Sequence, residues 1–257
     1  MNKILRLIDL DKSFGGVHAV NNLSFDVYEG EILGLIGPNG SGKSTCVNLI
    51  AGVYIQDSGS ILYNDVTLKR QSIPNRAFMG VARTFQSPMP FTNLSVFESV
   101  YTVAMLYNKK MKDAAKKAEE ILELTGFTSI RDMPCSKLSI EKRKWLDMSR
   151  TLAMNPKLLM LDECLAGLTP SEMEDCVEFV RRINSLGVTI IFIEHVMKAV
   201  TKLCTRIVVL NEGMLLSEGD AEQVMREESV IKAYLGDDYV HSLGEQILSE
   251  TLNDDIP

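Results

Sequence analysis

The chain is predicted to fold as an α/β protein with an N-terminal antiparallel β-subdomain and a helical subdomain inserted into its core. Three observations predict this. Short apolar runs at residues 32–36, 158–161 and 188–193 read as buried strands, and segments with helical spacing lie among them. Partly alternating stretches at residues 4–10 and 23–27 read as strands of a smaller sheet leading to the first run. From Ser87-Pro88-Met89-Pro90 to about Pro134 there are no strand runs and helical spacing takes over, which marks an insertion of about residues 87–154.

Length and composition set outer bounds. At 257 residues, with 46% hydrophobic and 24% charged, the chain can bury a real core as one large domain carrying an insertion. A balance of 27 Lys+Arg against 34 Asp+Glu leaves a formal charge of −7, which argues against nucleic acid as a partner. No apolar run reaches bilayer-spanning length and charges interrupt residues 1–14, so the expectation is a cytosolic protein without a secretory signal. Cysteines at 46, 135, 164, 176 and 204 form no C-x-x-C pair and read as reduced thiols.

The run at 32–36 leads into Gly37-Pro38-Asn39-Gly40-Ser41-Gly42-Lys43-Ser44-Thr45, which fits G-x-x-x-x-G-K-[ST], and residues 44–51 read as the helix that follows. Glycines let the backbone of Asn39, Gly40, Ser41 and Gly42 fold so that several N–H groups point at one phosphate group, and the helix N-terminus adds partial positive charge. Lys43 supplies full charge for β- and γ-phosphates, and the Ser44 hydroxyl suits Mg²⁺. The core is therefore expected to be that of a P-loop NTPase. Upstream, Phe14 beside Gly15-Gly16 reads either as a plug for the small sheet or as a ring on which adenine stacks, with Val20 flanking it. His18 reads as a surface residue.

Downstream, residues 80–86 read as a strand ending in Gln86, a side chain that either caps the strand or ligates Mg²⁺ and holds an attacking water. Within the insertion, Ala115, Ala118, Ile121, Leu122 and Thr125 keep helix spacing until Gly126. Methionines at 79, 89, 105, 111 and 133 read as core filler rather than as a docking surface, and Lys109-Lys110-Met111-Lys112 as a solvated face. Ser139 is the expected N-cap of a helix reaching about Met154. The apolar strand after Asn155-Pro156 ends in Asp162-Glu163, where Asp162 suits Mg²⁺ and Glu163 suits polarising water. Thr169, Pro170 and Glu172 have the spacing of a capping box opening a helix that stops at Gly187. The strand at 188–193 delivers Glu194-His195 to the same edge, placing His195 for contact with a γ-phosphate. Further strands are expected at 206–210 and 214–216, and the stretch from Asp237 reads as an acidic tail.

In order along the chain, residues 37–45, Gln86, Leu138-Ser139, Asp162-Glu163, Ala166-Gly167-Leu168-Thr169 and His195 resemble the nucleotide-binding subunit of ABC transporters, over about residues 4–236. Phe14-Gly15-Gly16, Ala166-Gly167-Leu168-Thr169-Pro170 and Ile231-Lys232-Ala233-Tyr234-Leu235-Gly236 are similar to the ATP-binding subunits of branched-chain amino-acid importers. Trp145-Leu146-Asp147 is shared with urea-type importers. The resemblance implies an ATPase with ATP and Mg²⁺ as cofactors, peripheral to the cytoplasmic face of the membrane. It implies a head-to-tail pair with an identical or paralogous subunit, ATP being clamped between one P-loop and the other signature. It also implies a transmembrane permease and, indirectly, an extracellular substrate-binding protein. Carried over by position, Phe14 stacks adenine, Lys43, Ser44 and Thr45 hold phosphates and Mg²⁺, Gln86 senses them, Ser139 meets the partner's γ-phosphate, Glu163 is the base and His195 the γ-phosphate switch.

One departure matters. The family signature Leu-Ser-Gly-Gly-Gln is here Leu138-Ser139-Ile140-Glu141-Lys142, so a carboxylate stands where backbone should approach phosphate. At about 4 Å and an effective dielectric of about 20, like charges cost on the order of 4 kcal/mol, which Lys142 offsets in part. The expectation is that the site completed by this signature works poorly. Competing readings are an ATP-dependent switch without transport and a weakly hydrolysing member of an asymmetric pair.

Overall fold

The computed structural model describes residues 2–84 and 91–235; Gln86, Met89 and the acidic stretch from Asp237 lie outside the described residues. Contacts divide the chain into two units, residues 1–71 with 189–257 and residues 72–188. The α/β class expected from sequence is what the structure shows, with an antiparallel sheet, parallel strands and helical elements.

In the first unit, β1 (Lys3–Phe14) and β2 (Val17–Tyr28) form an antiparallel hairpin. Gly15 and Gly16 turn it with φ of +52° and +88°, left-handed values that a two-residue hairpin needs. Both strands run past the stretches expected at 4–10 and 23–27. Polar residues broke the alternation there, but the sheet absorbs them: register shifts fall between Leu7 and Leu10, and Asp11 accepts from the Asn22 N–H at 2.9 Å and the Ser58 hydroxyl at 2.6 Å. β3 (Ile32–Ile36) is buried at every position and leads to α1 (Lys43–Ala51). β4 (Ser58–Tyr63) and β5 (Val66–Thr67) complete an antiparallel sheet of order β2-β1-β4-β5.

The second unit opens with α2 (Ile73–Met79), a helix the sequence reading did not anticipate. Seven residues are too few for a periodic signature, but its ends are encoded: the Ser72 hydroxyl accepts the Asn75 N–H and Gly80 closes it. β6 (Val81–Arg83) pairs in parallel with β7 (Leu158–Asp162). Between them lie α3 (Val96–Tyr107), α4 (Met111–Leu124) and α5 (Ile140–Leu152). Ser139 caps α5 as expected, its hydroxyl accepting the Lys142 N–H at 3.3 Å. α6 (Pro170–Ser185) starts at the expected capping box, Thr169 and Glu172 each accepting the other's backbone N–H. The methionines correct the sequence reading: Met105 and Met111 are exposed and Met79 and Met133 half-buried, so none of these four is core filler. α3 and α4 bury Val96, Val100, Ala104, Ala114, Ala118 and Ile121 instead, which leaves the longer, flexible side chains outside.

Back in the first unit come β8 (Thr189–Ile193), α7 (Met197–Leu203), β9 (Arg206–Asn211), β10 (Met214–Asp220), α8 (Ala221–Val224) and α9 (Glu228–Leu235). β3 lies between β8 and β9, parallel to both, and β10 runs antiparallel on β9. Being flanked by parallel neighbours explains why β3 is an unbroken apolar run. It also carries the loop after β3 and residues 194–195 after β8 to one edge, the carboxyl ends of the strands.

Burial leaves none of the five cysteines in a disulfide; Cys164 and Cys176 have their Sγ atoms 4.0 Å apart, too far for a bond. The α6 capping box gives a direct stability test. Thr169→Ala is expected to cost about 1 kcal/mol in chemical denaturation. The Glu172 carboxyl is held below its ordinary value by the Thr169 backbone and hydroxyl, so its contribution is full above that ordinary value and is lost as pH falls through the lowered one. In Thr169→Ala, that acid dependence should shrink.

Candidate functional site

In the first unit the loop after β3 is fixed by close backbone approaches. A Cβ on Gly37 would lie 2.1 Å from the Leu210 carbonyl oxygen, and one on Gly42 would lie 2.4 Å from that of Ala19. The Gly213 N–H donates to the Ser41 carbonyl at 3.1 Å, so the β9–β10 turn braces the loop from behind. Gly42, with φ +102°, is the N-cap of α1; no side chain caps this end and no acid occupies its first turn. Helix N–H groups and partial positive charge are thus left for an external anion.

Lys43 is folded onto the same loop. Its Nζ donates to the carbonyls of Gly37 at 2.7 Å and Pro38 at 2.9 Å and reaches the Ser41 hydroxyl at 3.4 Å. Asn39, Gly40 and Ser44 are exposed, Thr45 is half-buried and Ser41 is buried beneath the loop. The Tyr234 hydroxyl of α9 is buried against the Gly37 backbone, and that burial pushes it up to about 12.

Phe14 is 41% exposed, which overturns the reading of it as a plug. Tyr54 meets its edge with centroids 5.0 Å apart, and Lys12 Nζ lies 5.2 Å from its ring centre. Asp57 secures this corner by accepting from Lys12 Nζ and from the Ser13 N–H, both at 2.7 Å; the Lys12 ammonium is the main cause of its lowered carboxyl pKa. Val20 is a correction of another kind. It is fully buried, turned inward by the alternation of β2, and offers a base no exposed surface. His195 sits just past β8, mostly exposed, with Nδ1 4.0 Å from the buried Glu194 carboxylate. His18 is exposed as expected.

The second unit places the acids. Asp162 ends β7 almost fully buried; Arg83 Nη2 donates to its Oδ2 at 3.1 Å, and its own N–H donates to the Thr84 hydroxyl at 3.3 Å. Glu163 follows half-buried with φ +49°, a left-handed conformation that non-glycine residues rarely adopt. Ser139 is exposed at the start of α5, and Ile140 beside it is 70% exposed. Glu141 lines a cavity of about 330 Å³ together with the stacked rings of Trp145 and Phe179. Gln86 lies outside the described residues.

Oxygen donors suit a hard cation: the exposed Ser44 hydroxyl and the Asp162 carboxylate are of the type Mg²⁺ takes. Among the described residues no cluster of three or more His, Cys, Asp or Glu is arranged for a metal. Mg²⁺ fits such sparse ligation, because it keeps waters and substrate phosphates as ligands. Arg83, Tyr54 and Tyr234 were not singled out from sequence. Arg83 carried a signal there, as a lone charge in a strand, and Tyr234 lay within the stretch 231–236 that bears the resemblance.

A profile of the ABC transporter family matches residues 20–166. The high-affinity branched-chain amino acid transport ATP-binding protein LivG of Escherichia coli strain K12 is 34% identical over 250 residues, covering 91% of this chain and 98% of LivG. The lipopolysaccharide export system ATP-binding protein LptB of Haemophilus influenzae is 30% identical over 237 residues, covering 92% and 98%. Among solved structures, the ADP conformation of MJ1267, an ATP-binding cassette of an ABC transporter, superposes with a TM-score of 0.84 at 28% identity, over 92% of this chain and 100% of that one. A phosphate cradle at the edge of a parallel sheet, an acidic pair closing another strand and similarity over nearly the full length converge: the chain belongs to the ABC transporter family and is one of its ATP-binding subunits, an ATPase.

Proposed function

We propose that this subunit drives import through a membrane permease, with branched-chain amino acids or a related small polar solute as cargo. The uncapped, lysine-bearing turn at the start of α1 carries the ATPase reading. Cargo rests on the similarity to LivG, which spans nearly all of both chains; the similarity to LptB, named for export, shows why the domain alone does not choose it. The domain reading is one nucleotide-binding domain over residues 1–236, with the helical insertion at about 87–154 and an acidic tail at 237–257.

Each residue then has a stated task. The N–H groups around Asn39, Gly40, Ser41 and Gly42 bind phosphate oxygens, and Lys43 exchanges loop carbonyls for β- and γ-oxygens. Phe14, steadied by Tyr54, stacks the base. Ser44, Asp162 and Gln86 would hold Mg²⁺ and Thr45 would help hold the phosphates, and Mg²⁺ when bound neutralises charge on the β- and γ-phosphates. Glu163 accepts the proton of the attacking water, and His195 donates to the γ-phosphate.

Dimerisation and permease docking have surfaces that support them. Ser139 and the exposed Ile140 stand at the signature, suited to burial against a second nucleotide-binding subunit, identical or paralogous. On α2 and α3, Phe78 is 63% and Leu106 67% exposed, Phe78 lies 5.1 Å from Tyr107, and Met105 adds a flexible contact. That apolar face suits a cytoplasmic helix of the permease. No helix among the described residues is long and apolar enough to cross a membrane. The proposed location is therefore peripheral, on the cytoplasmic face, with the extracellular substrate-binding protein an indirect partner.

Co-expression with a candidate polytopic permease and uptake of labelled leucine tests the reading. Uptake should vanish with Lys43→Ala, which loses ATP binding. Glu163→Gln should bind ATP with near-normal affinity while turnover falls by about 10²- to 10⁴-fold. Wild-type turnover in Glu163→Gln, or no copurifying permease, would count against it.

The carboxylate of Glu141, next to the exposed Ile140 at the start of α5, favours asymmetry as well. The ATP site completed by this signature is the weaker one. Glu141→Gly is expected to raise turnover of the assembled transporter by about tenfold, equivalent to about 1.4 kcal/mol of barrier. Unchanged turnover would remove the asymmetry.

A further inference from the structure

We infer that Lys144 of the signature helix is a positioning residue for the catalytic loop, a clamp that ties the location of α5 to the geometry of Glu163. The inference rests on the reading of Glu163 as general base and adds to it how that base is held. Lys144 is 8% exposed, a degree of burial rare for lysine. Its ammonium has three N–H bonds, and three carbonyls of one short loop receive them: Glu163 at 3.4 Å, Cys164 at 3.3 Å and Ala166 in the tightest contact. Charge-assisted bonds in a dry setting are stronger than neutral ones, and losing their donor strands buried acceptors.

This loop needs holding. Glu163 has φ +49° and Gly167 φ +75°, and two short turns run through the segment, from the Ala166 N–H to Glu163 and from the Leu168 N–H to Leu165. A left-handed glutamate persists only where its surroundings over-determine it. The Glu163 carbonyl takes both the turn bond and the lysine, so the peptide carrying the candidate base is fixed from two sides. Lys144 also lies in the second turn of α5, five residues beyond Ser139. A displacement at the Ser139 end is therefore passed through one rigid helix to the loop that orients Glu163. Engagement of the signature by a nucleotide and alignment of the base in the same chain become linked events.

The test uses the purified full-length chain and Mg-ATP, comparing Lys144→Met, Lys144→Arg, Glu163→Gln and the Lys144→Met/Glu163→Gln double variant. In Lys144→Met, kcat is expected to fall by about 10- to 100-fold while KM stays within about twofold, because the base is misaligned and the phosphate cradle untouched. Lys144→Arg, which keeps a charged multiple donor, should recover most of kcat. The double variant should be no slower than Glu163→Gln alone, since both act through one carboxylate. If Lys144→Met does not fold, Lys144→Gln takes its place, with hydrogen exchange at residues 163–168 expected to accelerate. The proposal is overturned by a Lys144→Met kcat within about twofold of wild type, by equal losses in the Met and Arg variants, or by a double variant slowed by the full extra factor. Turnover at the wild-type rate in Glu163→Gln removes the base reading and the clamp with it. An inactive Glu163→Gln beside a normal Lys144→Met removes the clamp alone.

Discussion

The start of α1, which no side chain caps, is the constraint on which the first unit depends. A helix beginning on Gly42 without a capping side chain is locally unfavourable, and a protein keeps such an end when something outside the chain completes it. Lys43 compounds the bias by putting a full positive charge over the same turn. The carbonyls and hydroxyl it bonds are neutral, and on the proposed reading a phosphate would outbid them electrostatically. The backbone approaches at Gly37 and Gly42 follow from this demand, since the loop must coil so tightly that a Cβ at either position would strike a carbonyl oxygen. Ala19, Leu210 and Gly213 supply the wall against which it coils.

In the second unit the corresponding constraint is strain and charge around the acids. Asp162 is buried with Arg83 as its ion-pair partner, and removing either partner would leave the other charge buried and uncompensated. Glu163 carries the strain of a left-handed backbone, of order 1–3 kcal/mol. Strain of this kind clusters where geometry must be exact enough for chemistry but released or reset during a cycle. Lys144 is the connection between that loop and the helix that begins at the signature.

Much of the fold was legible because its signals are local. β3, β7 and β8 announce themselves as unbroken apolar runs because neighbours bury both faces, and Thr169-Pro170-Ser171-Glu172 spells its own helix start. The phosphate loop is legible for the same reason, its chemistry lying within nine consecutive residues. Pairings between distant residues were not legible. Arg83 and Asp162 are 79 positions apart, Lys144 finds carbonyls about 20 positions away, and Tyr54 reaches Phe14 only after α1 has turned the chain back. α2 is too short, at two turns of helix, to show a period, and the alternation of β2 turns Val20 inward although it lies close to the hairpin turn in sequence.

The phosphate cradle is open to one direct measurement, calorimetric titration of the wild-type chain with ATP, ADP and AMP in Mg²⁺. If the loop N–H groups and Lys43 supply the main binding energy, ADP should bind at least about tenfold more tightly than AMP, the β-phosphate being the group the cradle encloses. AMP binding as tightly as ADP would place the affinity in the base and ribose instead, and would contradict the account.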